Sequence, residues 1–327
     1  GRAPVPLPDD PPAVRVLCRT QQQVAAALEI PWLDEICLDF LEVHGLQESV
    51  REVQASGKMA VVATPRILKP EEERLSTFYL KLGADALLVR STGMLQALVE
   101  QAGGAGAWVD SLGARIPHLF GDFSLNAANV LTADAFLSRS LCRLAPTHDL
   151  NAAQVADVAR SLGDRNRMVE VIIHQHLPIF HMEHCVFCRF LTSGNSYRDC
   201  GHPCERNTVH LRDGQGRDHL VLADMGCRNT VFNAQAQSGV HYMDMLMSAG
   251  IKQFRVELVD EPAELVRPML EGYRAVLEHK RSAEDLWQWL QGMTDANGNA
   301  HGTTRGSLEV FKERSARKMK PTAASLR

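Results

Sequence analysis

Val14-Arg15-Val16-Leu17-Cys18-Arg19-Thr20-Gln21 passes from an apolar, β-branched run straight into a helix-period segment, with no glycine at the junction. A doubly wound nucleotide-binding sheet often carries a Gly-rich phosphate turn after its first strand, and Cys18-Arg19-Thr20-Gln21 is no such turn. Outward from this stretch the same alternation recurs, with strand-like runs at 35–40, 59–65, 86–91, 119–125, 141–147, 169–174 and 253–259. Amphipathic segments lie between them at 21–30, 46–55, 71–82, 94–102, 133–139 and 151–162, several opened by Ser, Thr or Asp and closed by Gly, the usual helix start and stop signals. Strands buried on both faces read as continuous apolar runs, so eight of them with intervening helices predict an α/β fold of the (β/α)8, TIM-like barrel type.

The seventh and eighth runs are too far apart for an ordinary connection. The intervening segment holds a predicted hairpin, 208–212 and 219–223, turning through Asp213-Gly214-Gln215-Gly216. It also holds Cys185, Cys188, Cys200 and Cys204, four of the chain's eight cysteines. The expected organisation is a proline-rich linker (1–13), a barrel (14–260) with a cysteine-rich metal-binding insertion (181–228), and a helical extension with a basic tail (261–327). An insertion after the seventh strand sits at the C-terminal mouth, where barrels do chemistry.

The 327 residues are 45% hydrophobic, enough for a large core, and the formal charge of −4 gives no overall field for polyanions. RNA would have to be met by a local basic patch; the tail at 311–327 is read first as a solvated terminus and second as a phosphate contact. No apolar run is long enough to span a membrane, and the start has no secretory signal. A cytoplasmic protein is expected, since Cys18, Cys37 and Cys142 stand alone in apolar runs rather than in a disulfide framework. Pro4, Pro6, Pro8, Pro11 and Pro12 suit a stiff joint to an upstream domain of the same or a partner chain.

Paired thiolates at these spacings hold zinc in a tetrahedron, or an iron–sulfur cluster with one cysteine per iron. Spacing alone places zinc slightly ahead. Cys227 is a fifth candidate ligand, while His181, His184 and His202 are more often flanking groups. At the strand ends Arg66, Arg90, Asp122, Asn126 and His148 would line one polar mouth, with His174 after the seventh strand. The arginines suit a carboxylate or phosphate, Asp122 and Asn126 would orient a substrate, and His148 or His174 would move protons. Asn126 and Asp149 read equally well as helix caps. No Gly-x-Ser-x-Gly elbow, His-Glu-x-x-His helix or phosphate loop is present.

Glu183-His184-Cys185-Val186-Phe187-Cys188, Asn195-Ser196-Tyr197-Arg198-Asp199-Cys200-Gly201-His202-Pro203-Cys204, Ala63-Thr64-Pro65-Arg66-Ile67 and 121–129 together resemble peptidase family U32, the collagenase-like group. The resemblance covers roughly 14–257. It implies a four-cysteine iron–sulfur cluster, with four irons, and hydroxylation of an RNA base or a quinone precursor. A metal- or Cys227-dependent peptidase and a zinc-stabilised assembly module remain the other readings. By similarity Cys188, Cys200 and Cys204 are ligands, and Cys185 or Cys227 completes the set. The chain departs from the family pattern in the short spacing between Cys185 and Cys188 and before its first cysteine.

Overall fold

The computed structural model describes residues 5–40, 45–72, 74–102, 116–224, 226–294 and 301–311. Pro4, residues 295–300 of the expected helical extension and the basic tail beyond Phe311 lie outside the described residues.

Strands and helices alternate as expected. They run β1 (Ala13–Cys18), α1 (Gln21–Leu28), β2 (Glu35–Leu38), α2 (Leu46–Ala55), β3 (Met59–Ala63), α3 (Arg74–Lys81), β4 (Ala86–Val89), α4 (Thr92–Gln101), β5 (His118–Gly121), α5 (Val130–Leu137), β6 (Leu141–Leu144), α6 (Ala152–Ser161) and β7 (Glu170–Met182). Caps set the helix starts. Thr20 and Asn151 each accept from the backbone three residues on, and Gln23 and Gln154 reach back, closing two capping boxes. After β7 come α7 (Val186–Leu191), β8 (Val209–Arg212), β9 (Asp218–Ala223), β10 (Asn229–Ser238), α8 (Met243–Ser248), β11 (Gln253–Glu257), α9 (Ala263–Leu277), α10 (Ala283–Gln291) and the short β12 (Thr303–Thr304).

All the long strands join one sheet in the order β6-β5-β4-β3-β2-β1-β11-β7-β10-β9-β8, parallel from β6 to β7 and antiparallel from there on. A parallel bridge between Leu144 and Val169 brings the far edge of β6 towards the residue before β7. The result is a mixed α/β fold with a curled sheet, compatible with a TIM-like barrel. Two features were not anticipated. β7 continues past His174 to Met182, exchanging its parallel partner β11 for the antiparallel β10, and β10 itself was unforeseen. The expected hairpin is present as β8 and β9.

Alternate residues of the curled sheet face opposite ways. Val14, Val16, Ile36 and Leu38 pack outward under the helices. Inward, Leu17, Cys37, Val61, Ala63, Leu88, Phe120 and Cys142 form a smaller apolar cluster. Between these inward groups runs a chain of buried ion pairs. Glu35 bridges Arg15 (2.9 Å) and Arg143 (2.7 Å), and Glu170 links Arg143 (2.8 Å) to Arg255. Arg255 reaches Asp122 and Glu257, Arg90 joins Asp122 (2.8 Å) to Asp39 (2.7 Å), and Arg19 joins Asp39 (3.1 Å) to Glu257 (3.3 Å). Each buried charge therefore faces an opposite one, without which its desolvation would cost several kcal/mol.

Candidate functional site

A cavity of about 270 Å³ opens at the C-terminal ends of the parallel strands. Its floor comes from Arg19, Asp39, Thr64, Arg66, Arg90 and Glu257 at the ends of β1 to β4 and β11, with Tyr79 and Phe123 beside them. Its roof is the antiparallel extension: Pro178 and His181 of β7, Leu222 to Asp224 at the end of β9, and Thr230 and Phe232 of β10. The extra length of β7 thus does the roofing.

The two expected arginines behave differently. Arg90 is buried and engaged, with Nε on Asp122 and both terminal nitrogens on Asp39 at 2.7 and 3.0 Å. Arg66 is half-buried, and among the described residues it has no hydrogen-bond or ion-pair partner; its guanidinium stands 5.0 Å over the Phe123 ring. Burial, and then the neighbouring Arg90 charge, disfavour its ionised form, which an anion in the cavity would relieve. Arg66 thus differs from Arg90 in lining the cavity without a carboxylate partner among the described residues.

The structure gathers the other expected residues less tightly. Asp122 has no exposed surface; it accepts from Arg90, Arg255 and the Phe123 amide, and these arginines hold its carboxyl well below the usual range. Asn126 is exposed, in left-handed backbone (φ 57°), and caps the short turn 123–125. His148 stacks on the far side of the cavity's aromatic wall, 3.9 Å from Phe123, with Nδ1 3.3 Å from Gln175; burial pulls it down to about 4. His174 turns away to Tyr273 (3.0 Å) and Glu261. The histidine at the cavity is His181. Its Nδ1 meets Thr230 Oγ1 at 2.9 Å, its Nε2 is buried without a partner, and burial with the nearby Arg66, Arg228 and Arg90 charges pulls it down to about 4. It is neutral at pH 7 and able to accept a proton.

Just beyond the roof lie the cysteines. The β9–β10 turn is closed by Asp224, whose Oδ1 accepts from Gly226 and Arg228 (both 2.9 Å) and whose carbonyl accepts from Cys227. Cys227 sits there in left-handed backbone (φ 59°). Arg228, wholly buried, ties this turn to Glu183 (2.8 Å) and Glu72 (3.1 Å), and so to the segment entering Cys185. Cys185 and Cys204 pack against Val186, Phe187, Val221 and Val231. Burial raises the Cys227 thiol to about 11, and the next contributions come from Cys185, Cys204 and Cys200; Cys204 is raised by burial, then Cys185, with Cys200 also contributing. The Cys227 thiol thus lies near enough to Cys185, Cys200 and Cys204 to be affected by them. Cys188 instead donates its Sγ to the Gly194 carbonyl (3.2 Å), while its own amide bonds Cys185 Sγ.

Residues 38–304 match the sequence pattern of peptidase family U32. The chain belongs to peptidase family U32. Similar solved structures include the U32 peptidase Mk0906 (10% identity, 77% of this chain and 94% of that one, TM-score 0.44). Others are an HpcH/HpaI aldolase from Desulfitobacterium hafniense (12%, 82% and 93%, TM-score 0.38) and an uncharacterized B. cereus protein (10%, 79% and 64%, TM-score 0.36). No curated protein matches the chain.

The thiols of this U32 chain can be tested for fit to an iron–sulfur group. Zinc–sulfur bonds of about 2.3 Å put tetrahedral sulfurs roughly 3.8 Å apart. Among the described residues, no three of these sulfurs lie within 4.8 Å of one another. Thiols spaced beyond a tetrahedral zinc site fit a polynuclear cluster better, in which each thiolate takes its own iron, and Cys185, Cys200, Cys204 and Cys227 are the residues that would hold it. Gly194 lets the segment close on itself: a Cβ there would stand 2.7 Å from the Asp199 carbonyl and the Cys200 Cα. The sequence offered His181 only as a substitute metal ligand or a flanking group, because the seventh strand was expected to end at His174; a bulge in the longer β7 brings both Pro178 and His181 to the cavity, which strict strand alternation does not reveal.

Proposed function

We propose that this U32 chain is an iron–sulfur modification enzyme, hydroxylating an RNA base held at the mouth of a complete (β/α)8 barrel; a small aromatic or quinone-precursor ring is the alternative substrate. The carrying observation is Arg66: an unpaired cation over Phe123, in an aromatic-walled cavity whose roof residue Asp224 closes the Cys227 turn. An electron-rich ring with an anionic or carbonyl edge fits between such groups. Arg66 would bind that edge, His181 would accept a proton, and the roof would exclude water. The bound cluster, on Cys185, Cys200, Cys204 and Cys227, would supply one-electron redox chemistry, while the oxygen atom and the two oxidising equivalents of the hydroxylation would come from an oxygen-donating cosubstrate bound at the mouth.

The cysteine segment favours RNA over a free quinone precursor. Phe190, Leu191 and Tyr197 are exposed there beside Arg189, Arg198 and Arg206, and Arg198 stacks 5.5 Å over Tyr197. Exposed rings interleaved with cations are what single-stranded nucleic acid binds. A peptidase mechanism through Cys227 lacks support of this kind, since among the described residues no base is hydrogen-bonded to its thiol.

Oxygen-free protein is expected to be brown and to contain iron and acid-labile sulfide in constant proportion, both lost on Cys204→Ala. Arg66→Ala should keep both and lose RNA hydroxylation, read by mass spectrometry of bulk RNA. Colourless protein with zinc alone would overturn the cluster, and a cluster-loaded wild type that leaves RNA unmodified would overturn the substrate.

A further inference from the structure

On the other side of β7 from the substrate cavity, a second small cavity of about 40 Å³ lies between β7, β10, the residues after β11 and the end of α10. His174, His176, Asp260 and Glu261 face it. We propose that this cavity is a divalent-cation site with nitrogen and oxygen ligands, His176, Glu261 and Asp260, and with His174 completing its wall.

Hydrogen bonding around the cluster fixes which atoms point inward. His176 Nδ1 lies 2.6 Å from the Asn233 carbonyl, which can only accept, so the ring carries its proton there and turns the Nε2 lone pair inward. That is how metal-binding histidines are oriented, with the second nitrogen donating to a backbone carbonyl. Glu261 is likewise aimed. Its Oε2 accepts from the Val259 amide at 2.6 Å and its backbone carbonyl accepts from Gln23 at 3.0 Å, while Oε1 is buried with no hydrogen-bond partner. His174, only 1% exposed, also has a buried Nε2 without a partner, and its Nδ1 has Tyr273, which in turn meets Ser238 at 2.6 Å.

Two acceptor atoms, Glu261 Oε1 and His174 Nε2, are thus buried without a hydrogen-bond partner at the same cavity. Glu261 Oε1 stands 3.4 Å from His176 Nε2 and 3.6 Å from His174 Nε2. These lengths are long for hydrogen bonds. They agree with a coordination edge, since metal–ligand bonds of about 2.1 Å at tetrahedral angles set ligand atoms roughly 3.4 Å apart. One ligand atom each from His176, Asp260 and Glu261 lies within 4.8 Å of the others. The cavity exceeds the roughly 10–15 Å³ needed for one water, so an ion can keep a water ligand. A proton on His176, paired with Glu261, is the competing occupant.

Imidazole with carboxylates suits manganese, iron(II) or zinc, whereas the cysteine site prefers softer ions, so manganese(II) separates the two. The full chain, cleared of metal, is titrated with manganese(II) and the free ion is followed by electron paramagnetic resonance. One bound equivalent is expected. Glu261→Gln and His176→Asn should each weaken it by about a hundredfold, at the upper end of what outer-shell changes alone produce; Cys204→Ala should leave it unchanged. If one variant does not fold, the other with wild type decides. No bound manganese in wild type, binding that survives both substitutions, or binding lost with Cys204→Ala would each overturn the site.

Discussion

Burial keeps His148 neutral, and stability should record it. Its affinity for a proton falls from the ordinary 6.5 to about 4, chiefly because it is shut in beside Phe123. The unfolded chain takes up a proton below about 6.5 and the folded one resists until about 4, so stability is present at neutral pH and falls across that window. The full effect is roughly 3 kcal/mol. Urea denaturation of His148→Gln should therefore show a smaller loss between pH 7 and about 4.5 than wild type. An equal loss would mean that His148 is not what titrates. At this scale the sequence was legible where a residue lies just after a strand end, as Arg66 does three residues past β3, and Arg66 is at the mouth. Asp122 also follows a strand, but nothing in its neighbours revealed that Arg255, far along the chain, would close over it.

Local patterning identifies elements that carry their own signals. The β8–β9 hairpin was legible through its Asp-Gly-x-Gly turn, where Asp213 accepts from the Gln215 and Arg217 amides at 2.8 and 3.0 Å. β10 was not, because Asn229-Thr230-Val231-Phe232-Asn233-Ala234-Gln235-Ala236-Gln237-Ser238 is polar at six of its positions, and Asn229, Gln237 and Ser238 among them are buried, so no apolar alternation marks the strand. Its place depends on β7 and β9, which lie on either side. The same elements bear on which cysteines would hold a cluster. The resemblance implied Cys188, Cys200 and Cys204 with Cys185 or Cys227; the first turn of α7 points the Cys188 thiol at Gly194, which favours our proposed set of Cys185, Cys200, Cys204 and Cys227. Cys188→Ser is expected to retain iron and sulfide, since a hydroxyl can donate to the same carbonyl. Cys227→Ser should lose most of both. Iron per chain after anaerobic purification checks the pair, and the reverse pattern would restore Cys188 to the cluster.

Across the whole molecule, apolar periodicity revealed the strands but concealed the barrel's interior. Arg15, Glu35, Arg143, Glu170 and Arg255 are single charges inside runs read as continuously apolar, and the structure turns all of them inward. Together with Arg19, Asp39, Arg90, Asp122 and Glu257 they balance, five positive against five negative. A balanced buried network contributes little net stability over an apolar core, but an unbalanced one is costly. Asp122→Asn leaves one excess positive charge beside the buried Arg90 and Arg255, and should cost about 3–5 kcal/mol in urea denaturation. Arg255→Met, which removes the opposite charge, should cost a similar amount alone. In the double variant the count is even again, so its loss should fall well short of the sum of the two, a coupling of about 1–3 kcal/mol. Strict additivity would show that the two groups act independently, and that the chain of ion pairs from Arg15 to Glu257 is not one electrostatic unit.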